Sequence, residues 1–382
     1  MKVYEHQRPV GLALVLGNGL VTSSGEAWKR HRRIMQPVFH RSRVASMADR
    51  MAQVGEQRLE GWADYVGRSV DIAAEMMQLA LEVISQTMFT TSVTDHMDQI
   101  SHALRVSLKY AFDSFHNPLR PPLWIPTARN REFRSVMQFM DRLVYGLLAE
   151  RRRSGANHDD LLDLLIRARD EETGAGLSDQ ELRDEALTIF AAGHETTANA
   201  LAWTWYLLAT HPEATARFHE EIDRVLQGRM PKADDLQHLP YTRAVFDESL
   251  RLYPPVPAIQ RKATTGATVG KLSLPAGAVV LIGTYNLHRH PAFWRDPDCF
   301  IPERWLDGER PASRCAYLPF GAGPRACLGM YFATVEGPLL LALIGRRYDL
   351  KLAQERVKPE VMITLRPKGG IRMTLHGRNN LS

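Results

Sequence analysis

One stretch near the C-terminal end joins a cysteine to a glycine-rich loop: residues 320–329 have the sequence FGAGPRACLG. An apolar run follows and predicts a helix, so Cys327 is expected at a helix N-terminus, where unpaired N–H groups lower a cysteine pKa. Gly321 and Gly323 let the backbone approach a large flat group, and Arg325 suits a carboxylate on that group. The loop therefore predicts one sulfur ligand for a metal whose other positions are filled by something other than protein.

The spacing of five residues in this loop resembles the haem-binding loop of the cytochromes P450: Phe320, Gly323, Arg325, Cys327 and Gly329. The resemblance implies that Cys327 is the proximal thiolate ligand of a haem b iron. It also implies that Phe320, Arg325 and Gly329 belong to the cofactor-binding site.

The same loop has an alternative interpretation as a dinucleotide-binding fingerprint, because Gly321-x-Gly323-x-x-Ala326 precedes a helix and Asp349 follows at a tolerable distance. That fingerprint needs a buried strand before it. Residues 312–319 contain no β-branched residue and end in proline, which disfavours a strand.

A second constellation lies within a long predicted helix. Ser178 and Glu181 form a capping box, and the helical pattern continues to His211, a length of roughly 50 Å. Its middle, residues 191–197, has the polar sequence AAGHETT. Gly193 is unfavourable in a helix by about 1 kcal/mol relative to alanine, which suggests that a ligand needs the space.

Two interpretations of this insert use the residues alone. A zinc-protease motif is excluded because position 198 is alanine and not histidine, whereas a helix kinked by threonine back-bonding stays open. The insert also resembles the P450 segment above the distal face of the haem. That resemblance implies catalytic roles for Thr196, which would hold oxygen by hydrogen bonds, and for Glu195, which would supply protons.

The residues expected to contact the haem propionates lie in two other parts of the chain. A basic helix is predicted for residues 26–37, and its Trp28 and Arg32 lie at i and i+4 on one face. Alone, this pattern is typical of a solvated helix with one buried tryptophan. The resemblance implies that Trp28, Arg32 and Arg261 contact the haem propionates.

A third motif predicts a scaffold. Glu248 and Arg251 lie at i and i+3 on a helix that ends at a proline pair, and Arg304 lies in a Pro-Glu-Arg segment. An ion pair of this spacing is common and means little alone. The P450 resemblance implies a structural triad, Glu248, Arg251 and Arg304, that supports the haem loop.

The composition of the chain disfavours several classes of protein. The chain has 382 residues, 45% of them hydrophobic, and a formal net charge of +5 with scattered basic residues, which makes nucleic acid a poor candidate partner. Three cysteines without paired spacing argue against disulfides or a zinc site, so a cytoplasmic location is expected. No apolar run is long enough to span a membrane.

The order of the motifs along the chain implies a P450 fold, mainly α with small β-sheets, in a single domain over residues 1–382. Since the propionate helix begins near residue 26, the usual N-terminal helix and first sheet strands are expected to be missing. Further helices are predicted at 43–92 and 129–153, and hairpins at 270–284 and 361–375. The P450 resemblance implies that residues 101–150 form the lid helices and that the tip of the second hairpin reaches the substrate pocket.

The function implied is that of a haem-thiolate monooxygenase, which inserts one oxygen atom from O2 into an apolar small molecule. The sequence favours a lipid-, terpenoid- or carotenoid-like substrate by analogy. Electrons are expected from a ferredoxin or flavodoxin with its reductase, because no redox module is fused to the chain. The alternatives are a haem-binding sensor or inactive product without turnover, and a peroxide-driven enzyme.

Overall fold

The computed structural model describes residues 4–6, 10–90, 96–117, 119–155, 158, 160–306, 308 and 313–378. The two ends of the predicted domain, 1–3 and 379–382, lie outside these residues. The helices of the described chain are α1 (Val10–Leu16), α2 (Gly25–Met35), α3 (Arg41–Glu60), α4 (Ile72–Met88), α5 (Met97–His116), α6 (Ala128–Ser154), α7 (Leu161–Arg167), α8 (Asp179–Thr210), α9 (Pro212–Leu226), α10 (Pro240–Leu252), α11 (Thr284–Leu287) and α12 (Met330–Arg347).

Short 3₁₀ helices supplement them at Gln36–Phe39, Gly61–Tyr65, Ala233–His238, Pro302–Trp305, Arg314–Ala316 and Gly323–Arg325. The strands are β1 (Tyr4–His6), β2 (Ser69–Asp71), β3 (Ile259–Ala263), β4 (Ala267–Val269), β5 (Leu272–Leu274), β6 (Val279–Ile282), β7 (Tyr348–Leu352), β8 (Pro359–Val361), β9 (Leu365–Pro367) and β10 (Arg372–Gly377).

The strands form small antiparallel sheets in the orders β1-β3-β6, β2-β10-β7, β4-β5 and β8-β9. In the first of these, β1 places His6 directly opposite Arg261 of β3. The prediction of a mainly α-helical protein with small sheets is confirmed.

The helix α8 organises the core. Its predicted start is confirmed: the Ser178 hydroxyl accepts the Glu181 N–H, and the Glu181 carboxylate accepts the Ser178 N–H at 2.8 Å. Residues on every side of α8 are buried, as expected for a helix that crosses a core. It packs against α4, α6, α10 and α12, so side chains along its length are fixed relative to the helix that follows Cys327.

The helical predictions hold with local changes. Residues 129–153 lie in α6, and the basic helix at 26–37 corresponds to α2 followed by a 3₁₀ turn. The prediction for 43–92 holds for α3 and α4 but is wrong for the segment between them. There, Gly67 adopts a φ of +78°, and the Asp71 carboxylate caps α4 by accepting the Ala73 N–H at 3.1 Å.

Both predicted hairpins are wrong in their pairing. A turn does form between β5 and β6, but β5 pairs back with β4, and β6 pairs with β3 in another sheet. Likewise β10 pairs with β2 and β7, while β9 pairs with β8. The turn chemistry identified where the chain reverses, but strand partners from distant sequence decide the pairing.

Among the described residues, no helix combines the length and apolarity needed to cross a bilayer. One continuous hydrophobic core runs from Val15 to Leu375.

Candidate active site

The cysteine loop is folded back on itself before α12 begins. The Cys327 N–H donates to the Phe320 carbonyl at 2.9 Å, which closes the loop, and the Ala326 N–H donates to the Gly323 carbonyl at 3.0 Å. Gly321 and Gly323 adopt φ values of +68° and +73°, a region that residues with a side chain rarely occupy. These two glycines are therefore required by the shape of the loop itself.

The thiol of Cys327 has a raised pKa, and the expectation of a lowered one is wrong. Its side chain is accessible, yet protein atoms surround it closely, and this desolvation raises the pKa of the thiol. The Gly329 N–H and the positive charge of Arg32 oppose the shift only in part. Cys327 thus lies three residues before the start of α12 at Met330. A metal would displace the thiol proton on binding.

The helix α2 and strand β3 bring basic side chains to this loop. Arg32 donates to the Ala326 carbonyl at 3.0 Å, and the Arg325 guanidinium lies 4.4 Å from the centre of the Trp28 ring. Arg325 also donates to the Ser23 carbonyl at 2.8 Å. The loop, Trp28 and Arg32 therefore form one contiguous group, although 294 residues separate Arg32 from Ala326.

Arg261 completes a cluster of positive charge. Burial, together with the charges of Arg261 and Arg32, lowers the pKa of Arg325 to about 10. Within the described part of the chain, no acidic side chain forms a salt bridge with Arg32, Arg261 or Arg325. Partly buried arginines without carboxylate partners are costly unless an anion is supplied from elsewhere.

His6 belongs to the same cluster but was missed by sequence reasoning. Its Nε2 bonds to the Val21 carbonyl at 2.9 Å, while its buried Nδ1 has no hydrogen-bond partner in the described structure. Burial and the charge of Arg325 lower the pKa of His6 to about 4, so the ring is neutral. Only the pairing of β1 with β3 places it there, and a three-residue strand gives no usable sequence signal.

This group of residues fits a haem with its propionates. The loop offers one thiol without a competing second ligand, and no cluster of three or more metal-binding side chains occurs in the described chain. The unpaired arginines match the need of two carboxylates for cationic, hydrogen-bonding partners, whereas the bare Nδ1 of His6 can only accept.

On α8, Thr196 donates its hydroxyl proton to the Ala192 carbonyl at 2.6 Å, the back-bond that the residue pattern left open. The helix nevertheless runs unbroken through this point. Gly193 faces α4, and a Cβ there would lie 2.7 Å from Ile84 Cδ1. The glycine therefore permits close packing of α8 against α4, a role that the sequence did not reveal.

Glu195 is held by a distant residue. Its Oε1 accepts the Thr364 hydroxyl at 2.7 Å, and Thr364 in turn accepts the Asn199 side-chain N–H at 3.2 Å. Burial raises the pKa of Glu195, while the Thr364 hydrogen bond and the charge of Arg366 lower it in part. Neither Thr364 nor Asn199 was identified from the sequence.

The Glu248, Arg251 and Arg304 side chains meet in the core. Arg251 Nε and Nη2 donate to the two Glu248 oxygens at 2.9 and 2.8 Å, and Arg304 Nε donates to Oε1 at 3.0 Å. Arg251 also donates to the carbonyls of His288 and Cys299. The three residues thereby fix the chain between α11 and the Pro-Glu-Arg segment.

His288 links this scaffold to the cysteine loop. Its ring lies between the Arg251 carbonyl, 3.2 Å from Nδ1, and the Leu318 N–H, which donates to Nε2 at 2.8 Å. Burial lowers the pKa of His288 to about 4, so it stays neutral and accepts that N–H. Sequence reasoning missed this histidine because nothing in its local pattern points to Leu318.

A cavity of about 620 Å³ lies between α4, α5, α8 and the β8-β9 hairpin. Its walls include Met77, Leu104 and Ile363, together with His194 and Glu195 of α8. This volume is in the range of pockets for drug-sized molecules.

Comparison with known proteins identifies the family. The family described as Cytochrome P450 matches residues 5–375. The chain is 37% identical to cyclooctatin synthase of Streptomyces melanosporofaciens, over 92% of this chain and 78% of that protein. It is 39% identical to cyclooctat-9-en-7-ol 5-monooxygenase of the same organism, over 88% and 73%. Pentalenene oxygenase of Streptomyces avermitilis is 33% identical, over 95% and 81%.

The fold agrees with this match. The crystal structure of the cytochrome P450DA heme domain superposes with a TM-score of 0.91 at 30% identity, covering 99% of this chain and 84% of that one. The predicted fold class and the haem iron cofactor are thereby confirmed. The chain belongs to the cytochrome P450 family, and it is an oxygen-incorporating oxidoreductase that uses haem iron.

Proposed function

We propose that this enzyme inserts one oxygen atom from O2 into an apolar, terpenoid-like small molecule. The observation that carries the proposal is the cysteine loop with its unpaired arginines, in a fold that also holds a cavity of about 620 Å³ bordered by Glu195. The names of the relatives, pentalenene oxygenase among them, support a terpenoid-like substrate. A lipid- or carotenoid-like substrate, expected from the sequence by analogy, is the second candidate class.

Thiolate-ligated haem iron supplies the activation of O2 when it is bound. Cys327 is proposed as the iron ligand. The Phe320 carbonyl accepts the Cys327 N–H and closes the loop, and the Gly329 N–H lies beside the sulfur. We assign the propionates to Trp28 and the cluster of three arginines, Arg32, Arg261 and Arg325, which would hold and orient the cofactor.

Glu195 and Thr196 are the proposed catalytic residues. The Thr196 hydroxyl donates to the Ala192 carbonyl, so its oxygen lone pairs are available to accept a hydrogen bond from a bound group. Glu195, whose pKa is raised by burial, holds or releases a proton at a carboxyl oxygen. The Glu248, Arg251 and Arg304 triad is assigned a structural role, because its charged atoms are satisfied by one another and by backbone carbonyls.

The ligand assignment is tested by the carbon monoxide difference spectrum of the purified, dithionite-reduced protein. The red-shifted Soret band of thiolate ligation is expected for the wild type and for the control Cys315→Ser, whose cysteine is exposed. Cys327→Ser should lose that band. A red-shifted band that survives in Cys327→Ser would contradict the assignment.

A haem protein without turnover is distinguished by Thr196→Ala. In a monooxygenase the variant should consume electrons with less product, whereas a sensor would bind ligand unchanged. Thr210→Ala is the matched control, because Thr210 lies at the exposed end of the same helix and donates to the Tyr206 carbonyl in the same way. Equal uncoupling in both variants would remove the assigned role of Thr196.

A P450 of this kind needs a redox partner, and we propose a ferredoxin or flavodoxin with its reductase. The basic helix α2 is the candidate docking surface, but Arg30 and Arg33 are bonded to acidic residues before or at the start of α8. Among the described residues, Lys29 forms its ion pair with the exposed Glu26 of its own helix. Lys29→Glu is therefore the clean test, and slower reduction than in the control Lys271→Glu would support docking there.

We also propose a cytoplasmic location. It is supported by the three cysteines, all of which are free.

A further inference from the structure

The tip of the β8-β9 hairpin touches both the cavity and α8. Met362 and Ile363 line the cavity, and the next residue, Thr364, is 4% exposed and faces α8. Its hydroxyl oxygen lies 2.7 Å from Glu195 Oε1 and 3.2 Å from Asn199 Nδ2. A hydroxyl has a single proton to donate, and the Asn199 amide, which can only donate through Nδ2, leaves that proton for Glu195.

The hairpin is fastened to α8 on the same face. Trp203 Nε1 donates to the Leu365 carbonyl at 3.1 Å, and the Leu365 N–H donates to the Pro255 carbonyl at 2.9 Å. Glu195, Asn199 and Trp203 follow one another at intervals of four residues, so they form one stripe along the helix. The distance between Thr364 and Glu195 is therefore set by three separate contacts.

The charge that acts on Glu195 comes from the hairpin, although the cavity that it borders is also lined by Asp71, Asp98, His102, Arg105 and Lys109. On the hairpin, Arg366 lies near enough to favour the carboxylate, but Arg366 is itself bonded to Glu360 at 2.8 Å. On α8, the neighbouring His194 is buried, which lowers its pKa to about 4 and leaves it neutral. Among the described residues, Oε1 is the Glu195 oxygen with a hydrogen bond, which leaves Oε2 for proton exchange.

We propose that Thr364 is the positioning residue for Glu195: its hydroxyl, oriented by Asn199, fixes the carboxyl group and holds its proton affinity low enough for release. This role of Thr364 rests on the proposed catalytic role of Glu195. The hydrogen bond between Thr364 and Glu195 can nevertheless be tested without turnover. Removing the hydroxyl leaves a buried carboxylate without its donor, and a buried carboxylate that loses a donor binds its proton more tightly.

The test is an infrared titration of the purified, haem-loaded protein. The carboxyl band of Glu195 is assigned by its loss in Glu195→Gln, and its midpoint is then compared between variants. Thr364→Val keeps the side-chain shape without the hydroxyl and should raise proton affinity about tenfold, roughly one pH unit. Thr364→Ser keeps the hydroxyl and should titrate like the wild type. Asn199→Leu should fall between them.

Haem content and the unfolding midpoint are measured in parallel, and Thr364→Ala replaces Thr364→Val if the latter does not fold. An unchanged midpoint in the variants that lack the hydroxyl would overturn the proposal. So would equal shifts with valine and serine, which would show that only packing matters.

A second readout follows product formation in H2O and D2O. Thr364→Val should show a larger solvent isotope effect than Thr364→Ser if Thr364 serves proton supply. If the proposed oxygenation itself were wrong, no product would form in the wild type, yet the infrared titration would still decide the link between Thr364 and Glu195.

Discussion

Glu336 of α12 is a buried acid whose removal should change how stability depends on pH. It is 1% exposed, and in the described structure neither carboxyl oxygen has a hydrogen-bond partner. Desolvation raises the pKa of Glu336 to about 8, and the nearby Thr197 hydroxyl opposes this only in part. The group is therefore protonated in the folded protein at neutral pH.

The size of the effect follows from the difference between the folded and unfolded chains. An unfolded chain ionises Glu336 at its ordinary value of 4.5, so above that pH the unfolded state binds fewer protons and folding loses stability. This loss of stability grows as the pH rises. It stops growing near pH 8, where Glu336 of the folded protein ionises as well. Between pH 5 and pH 7 it amounts to roughly 2.5 kcal/mol, since each pH unit is worth about 1.4 kcal/mol.

The perturbation is Glu336→Gln, which keeps the shape and removes the ionisation. Urea unfolding of the haem-loaded protein at pH 5 and pH 7 gives the free energy of unfolding for wild type and variant. Relative to the wild type, the free energy of unfolding of the variant should rise by roughly 2.5 kcal/mol from pH 5 to pH 7. Glu355→Gln is the control, because Glu355 is exposed and should show no such gain.

Two results would refute this reasoning. A constant difference between Glu336→Gln and wild type would show that Glu336 has the same proton affinity in both states. A difference that shrinks towards pH 7 would show that the folded protein holds the anion, so that a partner for the carboxylate must exist.

Two further changes test the scaffold. Glu248→Gln removes the charge between Arg251 and Arg304, which are both buried, and should cost about 3–5 kcal/mol and most of the haem content, measured by urea unfolding and absorbance; retention of both would contradict the triad's role. Gly193→Ala should cost about 1–2 kcal/mol because the added methyl group meets Ile84, and Ile84→Val in the same chain should restore most of it. If Ile84→Val gives no rescue in urea unfolding, packing against α4 is not the reason for the glycine.

The sequence was most informative where the signal is local. The capping box of Ser178 and Glu181 placed the start of α8 correctly because both hydrogen bonds form within one turn. The glycines of the cysteine loop were expected for their backbone freedom, and positive φ values at Gly321 and Gly323 agree. In each case residues that are neighbours in the chain determine the geometry.

The failures share the opposite cause. The partners of β5 and β10 could not be predicted, because their registers depend on strands far away in the sequence. The same holds for Thr364, which meets Glu195 across 169 residues, and for His288, which receives the Leu318 N–H. The raised pKa of Cys327 was missed because desolvation comes from the whole surrounding fold.

The arginine cluster has a consequence for how the protein matures in a cell. Arg32, Arg261 and Arg325 repel one another until anionic groups lie between them. This repulsion lowers the stability of the folded polypeptide without its cofactor. A cofactor that binds only the folded form adds stability in proportion to the logarithm of its free concentration. Chains made during iron or haem shortage would then spend more time unfolded and be removed by proteases. Because these three arginines lack carboxylate partners in the described part of the protein, the supply of haem would affect how much folded enzyme accumulates.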